Sequence, residues 1–199
     1  MMRKSTKIKM IELKPPQKIP IYLRLGIWIS EKVTGKKMMP ARLLSWSPRS
    51  AIGSGFLESL VVHKDPTLSP RLLKLLRLQV SFKVSCPFCI DMNGHDFELF
   101  KITLAEVNQL KGQVYPVDFI TFSKSEQIAL EYALRLSETP PNLNEDFQNI
   151  LKTMFSDREI VILTVTISQV NYWTRLIQGF NLPSAGFDQD CSLPLTPKK

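Results

Sequence analysis

Three copies of one local signal decide what this 199-residue chain can fold into. Thr103-Leu104-Ala105-Glu106, Ser123-Lys124-Ser125-Glu126 and Ser156-Asp157-Arg158-Glu159 each match a capping box. In that motif a hydroxyl accepts from the amide three residues on, and the Glu reaches back to the amide of the cap residue. Each box precedes an apolar run of helical period, so each opens a helix. Two further starts place proline at the first helical position. They are Ser69-Pro70, ahead of RLLKLLRLQVSFKV, and Cys86-Pro87, whose helix is expected to run to about Phe100. The first carries an apolar stripe at Leu72, Leu75, Leu76, Val80 and Phe82. Residues 19–33 read as a helix with Tyr22, Leu23, Ile27 and Ile29 among its apolar positions, ended by Gly35. A short helix opens at Pro40 and closes at Pro48, and residues 50–62, 147–155 and 160–179 supply more. No segment alternates with period two for long enough to argue a strand. The expectation is an all-α, multi-helical bundle of about nine helices.

Charge divides the chain. Its net charge is +8, yet residues 1–50 hold 12 Lys/Arg against 2 Asp/Glu, and residues 51–199 hold 14 against 16. The basic character belongs to an N-terminal arm, residues 1–18. Its cations are scattered and few aromatics interleave, so it reads as a solvated lead-in rather than a nucleic-acid or membrane binder. Residues 19–187 are expected to form one domain, long enough for a sizeable core, and residues 188–199 a C-terminal tail. No stretch resembles a membrane span: the most apolar one, residues 160–180, contains Gln169, Asn171 and Arg175. The basic start lacks the apolar region of a secretory signal, so the expected location is the cytoplasm.

The chemistry concentrates in SCPFCIDMNGH, residues 85–95. With Cys86 at the N-cap and Pro87 at N1, Cys89 falls at N3 on nearly the same face, and the two sulfurs come within disulfide reach. Both lie in a first turn whose free amides and dipole favour a thiolate. Three readings compete: a dithiol/disulfide redox pair, half of a metal site, or two inert core cysteines. A tetrahedral metal wants four ligands, and beyond the pair the chain offers only His63, His95 and Cys191. No metal or other cofactor is expected. Which sulfur attacks is left open by the residues alone. At 100° per residue, Asn93 lies about 40° round from Cys89 and shares its face, whereas His95 points away. His95 is expected to cap, pack or meet another subunit, and Asp91 to face solvent or a basic neighbour. Asn171 and Arg175, spaced i, i+4 beside Tyr172, read as an interface or as pocket lining.

The order of elements around the cysteines carries a resemblance. A helix of the form P-R-L-x-x-L-x-R-L-x-V leads into C-x-x-C-I-D, followed by a capped helix, EQIALEYALRLSETPP, and SDREIVILTVTISQVNYWTRL. Over roughly residues 40–187 this resembles the carboxymuconolactone decarboxylase family, on its alkylhydroperoxidase D-like side. The resemblance implies an all-helical homo-oligomer that reduces small hydroperoxides with an external thiol as reductant. By position it makes Cys89 the peroxidatic and Cys86 the resolving cysteine. The family's proton-relay glutamate and histidine fall on Lys74 and Asn93. Asn93 can hydrogen-bond but not take up a proton near neutrality. Lys74 has two readings: an ammonium near the thiols, where it would favour a thiolate, or a solvated lysine on an amphipathic helix. The relay is therefore expected to be degenerate. The alternatives are a non-catalytic oligomeric scaffold or redox sensor, and decarboxylation of a lactone.

Overall fold

The computed structural model describes residues 13–62, 65–112 and 121–187, and the side chains of all these but 60–62. His63, Cys191, the first twelve residues of the arm and the tail 188–199 lie outside the described residues. The described residues form nine α-helices and no strand. They are α1 (Ile21–Thr34), α2 (Met39–Leu44), α3 (Pro48–Val62), α4 (Pro70–Lys83), α5 (Pro87–Gly94), α6 (Leu104–Lys111), α7 (Lys124–Leu136), α8 (Glu145–Met154) and α9 (Asp157–Gly179). A 3-10 turn, Phe97–Phe100, links α5 to α6.

The sequence signals translate directly into helix starts. All three capping boxes close in both directions, at Thr103, Ser123 and Ser156. The Ser69 hydroxyl accepts from the Leu72 amide at 3.1 Å, with Pro70 behind it. Two of the boundaries that differ from expectation have a plain local cause. α8 begins two residues early because the Asn144 side chain caps it, accepting from the Phe147 amide at 3.1 Å. α5 stops at Gly94, not near Phe100: His95 turns extended and Asp96 takes a left-handed φ of 56°.

Helix α4 is the hub, packed against α5, α6, α7 and α9. Its predicted stripe is buried, and so are Leu78, Gln79 and Ser81 on other faces, because neighbours surround it. With α7, α8 and α9 it builds the main core, around Leu76, Val80, Ala133, Leu163 and Ile167. A second cluster lies between α4, α6 and the 3-10 turn. Helix α9 is long and apolar enough to cross a membrane by length and composition. Here it turns Leu163, Ile167, Val170 and Ile177 into the protein interior. Arg71 joins three helix starts: it donates to Glu106 at 2.6 Å and Glu126 at 2.7 Å, the same two glutamates that close the boxes of α6 and α7. Its guanidinium also donates to the Lys101 carbonyl.

Helix α1 forms where the sequence reading places it, and its apolar positions divide between two faces. Leu23 and Ile27, one turn apart, are buried, while Tyr22 and Ile29 are exposed. Leu25 and Trp28 are exposed too, so α1 carries a second, uncovered apolar face. Arg42 of α2 grips Glu31 of α1 through two bonds of 2.7 Å. The Trp46 indole donates to the Lys14 carbonyl at 2.8 Å, which ties the described end of the arm to the domain.

Candidate active site

The junction between α4 and α5 is a tight turn. The Cys86 amide donates to the Ser81 carbonyl (3.2 Å) and the Ser85 amide to the Phe82 carbonyl (3.0 Å), the two bonds of a Schellman C-cap. Ser85 holds the left-handed conformation there (φ 53°), a place usually taken by glycine. This turn lets Cys86 close one helix and cap the next: its sulfur accepts from the Cys89 amide at 3.3 Å. Cys86 and Cys89 are bonded as a disulfide, with Cα atoms 5.3 Å apart.

The two sulfurs see different surroundings. Both cysteines are buried in a third, small apolar cluster with Phe88, Ile177 and Phe187. Cys89, and not Cys86, lines a cavity of about 600 Å³ walled by α1, α2, α3, α4, α5 and α9. The lining is mostly aliphatic and aromatic, with few polar groups, as small-molecule pockets generally are. Among the described residues Glu58 of α3 and Arg77 of α4 are its charged members. Glu58 Oε2 accepts from Gln169 Nε2 (2.6 Å) and from the Trp173 indole N–H (2.9 Å), both on α9. Burial pushes the Glu58 carboxyl up from its ordinary value, against the pull of Arg77 and the Trp173 N–H. Burial likewise lowers the Arg77 guanidinium, with Glu58 opposing. Sequence reasoning missed Glu58, Arg77, Gln169 and Trp173. The one available signal was a lone carboxylate in PRSAIGSGFLESLVV.

The predicted residues divide into two groups. Cys89 and Asn93 share the cavity wall, one turn apart, and the Asn93 amide is fixed by donation to Ser81 Oγ at 3.0 Å. Lys74 sits at the other end of α5, roughly 12 Å along its axis at 1.5 Å per residue. Its ammonium donates to the His95 carbonyl (2.7 Å) and lies over the Phe100 ring, so it serves the negative end of α5 and not the thiols. Burial brings its pKa down to about 8, with Arg77 adding to that and Asp96 opposing. The half-exposed His95 pairs with Asp96 at 2.9 Å and packs near the Phe187 ring, away from the cavity.

Asp91 is buried and does not face solvent. Its Oδ2 accepts from Ser184 Oγ (2.7 Å) and the Phe187 amide (3.0 Å). Gly186, at φ 69°, makes the turn that aims that amide inward. The clasp lays residues 182–187 over α5, with the Phe187 ring edge-on to Phe88. Asp91→Ala is expected to release this segment and speed alkylation of reduced Cys86 several-fold, with Cys89 little changed. Equal protection of Cys86 in both proteins, followed by mass spectrometry, would remove the clasp from the account. On α9, Asn171 donates to Ser137 of α7 (2.9 Å), Tyr172 bonds Ser54 of α3 (2.6 Å), and Arg175 is exposed. Asn171 therefore holds an interface within the chain. Among the described residues, no three His, Cys, Asp or Glu side chains converge as metal ligands would.

Comparison with solved structures places this arrangement. A peroxidase-related protein from Ralstonia eutropha JMP134, described as an alkylhydroperoxidase AhpD core, superposes with a TM-score of 0.72 at 15% identity, covering 88% of this chain and 93% of that one. The fold is that of the alkylhydroperoxidase D core. A putative antioxidant defence protein AhpD from Agrobacterium tumefaciens is 26% identical with a TM-score of 0.60, over 71% of this chain and 94% of its own. The debrominase Bmp8, as a cysteine-to-alanine variant in complex with 2,3,4-tribromopyrrole, shares the fold at a TM-score of 0.72 and 15% identity, over 89% and 94% of the two chains. By sequence, the uncharacterized protein YnjA of Escherichia coli K12 is 25% identical over 186 residues, 92% of this chain and 97% of its own. No family model matches the chain. The alkylhydroperoxidase D-like neighbours bear out the fold class and the resemblance read from the cysteine region and its flanking helices.

Proposed function

We propose that the protein is a thiol-dependent oxidoreductase that reduces hydroperoxides through Cys86 and Cys89. The observation that carries this reading is the asymmetry of the pair: Cys89 opens on the cavity and Cys86 is sealed behind it. The Cys89 thiolate attacks the terminal oxygen of ROOH. The O–O bond breaks, Cys89 becomes a sulfenic acid, and RO⁻ takes a proton to leave as ROH. The Cys86 thiol then condenses with the sulfenic acid, releasing water and forming the disulfide. An external thiol attacks Cys89 from the cavity, and Cys86 leaves as a thiolate that the Cys89 amide and the helix N-terminus stabilise. A second external thiol completes the reduction. The apolar cavity suits an organic hydroperoxide, and a reducing cytoplasm supplies the donor. The reduced protein, given cumene hydroperoxide, is expected to lose two thiols and gain the Cys86–Cys89 disulfide; a pair that stays reduced ends this reading.

The debrominase neighbour marks a second chemistry on the same fold, and a fold alone does not select between them. Release of bromide from a bromopyrrole in place of peroxide consumption would favour it. The reading also includes self-association. Leu25 and Trp28 of α1 and Ile52 and Phe56 of α3 are exposed apolar side chains, more than scattered surface residues need account for. A second copy of the chain is the partner proposed to cover them. Trp28→Glu combined with Phe56→Glu is expected to lower the mass measured by light scattering, and an unchanged mass would redirect the assignment.

A further inference from the structure

We infer that Glu58 is the proton carrier for the Cys89 thiol. This rests on the thiol chemistry proposed above. That chemistry has to move one proton: the Cys89 S–H must lose it, and the departing RO⁻ must gain it. Asn93, a turn beyond Cys89, has no protonation equilibrium near neutrality. Lys74 and His95 are engaged at the opposite end of α5. Glu58 opens on the same cavity as Cys89.

Its geometry fits the task. Both of its hydrogen bonds, from Gln169 and Trp173, converge on Oε2. Oε1 takes no hydrogen bond from the described residues, so one oxygen is anchored and the other is left to receive and return a proton. The charge environment is sparse. Arg77 faces the carboxyl from α4, α9 contributes the neutral Gln169 and Trp173, and α5 contributes Cys89 and Asn93. Helices α1 and α2 bring no charged side chain to the cavity, and Arg49 on α3 itself is exposed. Burial raises the carboxyl toward the range where a group both accepts and donates near neutral pH, with Arg77 as the counter-charge that limits the rise. The carboxylate takes the proton of the Cys89 thiol, the thiolate attacks the peroxide oxygen, and the carboxylic acid returns that proton to RO⁻. Atoms and charge balance with no further proton source: Cys89–SH and ROOH give Cys89–SOH and ROH.

The test uses the full chain in its reduced form and two readouts. The first is the pH dependence of Cys89 alkylation by iodoacetamide, which needs no peroxide. The wild type is expected to show two inflections, one from the thiol and one from Glu58, and Glu58→Gln only one. Trp173→Phe removes a donor that stabilises the carboxylate, so it is expected to move the Glu58 inflection to higher pH. The second readout is oxidation by cumene hydroperoxide, expected to slow by about 10²-fold or more in Glu58→Gln, the usual range for loss of a general acid–base group. Superimposable alkylation profiles for wild type and both variants overturn the inference, as does full-speed oxidation of Glu58→Gln. A wild type that couples Glu58 to Cys89 in alkylation but is inert to peroxide would instead overturn the peroxidase reading and leave Glu58 as the carrier.

Discussion

Cys89→Ser is expected to lower peroxide-driven oxidation by on the order of 10³-fold or more, the scale on which losing a nucleophile removes a covalent route. Cys86→Ser is expected to behave differently. It should still consume one equivalent of hydroperoxide and stop at a Cys89 sulfenic acid that dimedone captures. The difference follows from position. Cys89 lines the cavity, whereas Cys86 is fully buried and does not reach it. A peroxide in the cavity meets Cys89 first. Cys86, as N-cap of α5, sits where the Cys89 amide stabilises a leaving thiolate, which suits the resolving role in each direction of exchange. Dimedone adduct on Cys86 in the Cys89→Ser protein, at a rate like that of wild type, would reverse the assignment. Equal residual activity in both variants would remove the pair from the chemistry.

Much of this was legible in the sequence because it is local. A capping box needs four consecutive residues, and all three form as read. The cysteine geometry needs one helix turn and a proline, whereas His95 is turned away by the end of α5 at Gly94 and not by helical periodicity. What the sequence hid depends on pairing across the chain. Glu58 meets its donors more than a hundred residues away on α9, and the site is assembled only when α3, α4 and α9 pack. Asp91 looked like a surface acid because its partners, Ser184 and Phe187, lie more than ninety residues away in the sequence; they return over α5 only through the Gly186 turn. Lys74 matched a functional position in the resemblance, but α5 ends at Gly94, and the carbonyl that this exposes at His95 captures the ammonium. The apolar residues of α1 were visible, yet periodicity could not say which of two apolar faces the rest of the chain would cover.

The largest expected loss of stability comes from Arg71. Its side chain is 22% exposed, and those of Glu106 and Glu126 are 5% and 12% exposed, so the triad is largely out of water. Arg71→Met keeps the unbranched apolar stem of the side chain and removes the guanidinium with its charge. Two neighbouring carboxylates then lose their shared cation, and breaking a buried pair in this way costs roughly 3 kcal/mol or more. For a chain of this size that corresponds to a fall in Tm of about 6–12 °C. The pH dependence identifies the cause. Burial alone would raise the Glu106 carboxyl, but hydrogen bonds from Arg71 and from Thr103 hold it below its ordinary value of 4.5. The stability that this pairing contributes is present above that value and lost as pH falls through the depressed folded one. In Arg71→Met, burial acts without the guanidinium, so the Glu106 carboxyl moves up and protonation relieves the variant. The difference in urea midpoint between wild type and Arg71→Met is therefore expected to be large at pH 7 and to shrink toward pH 4 and below. A gap that stays constant across that range would mean that the loss comes from packing of the side-chain stem and not from the ion pairs joining the starts of α4, α6 and α7.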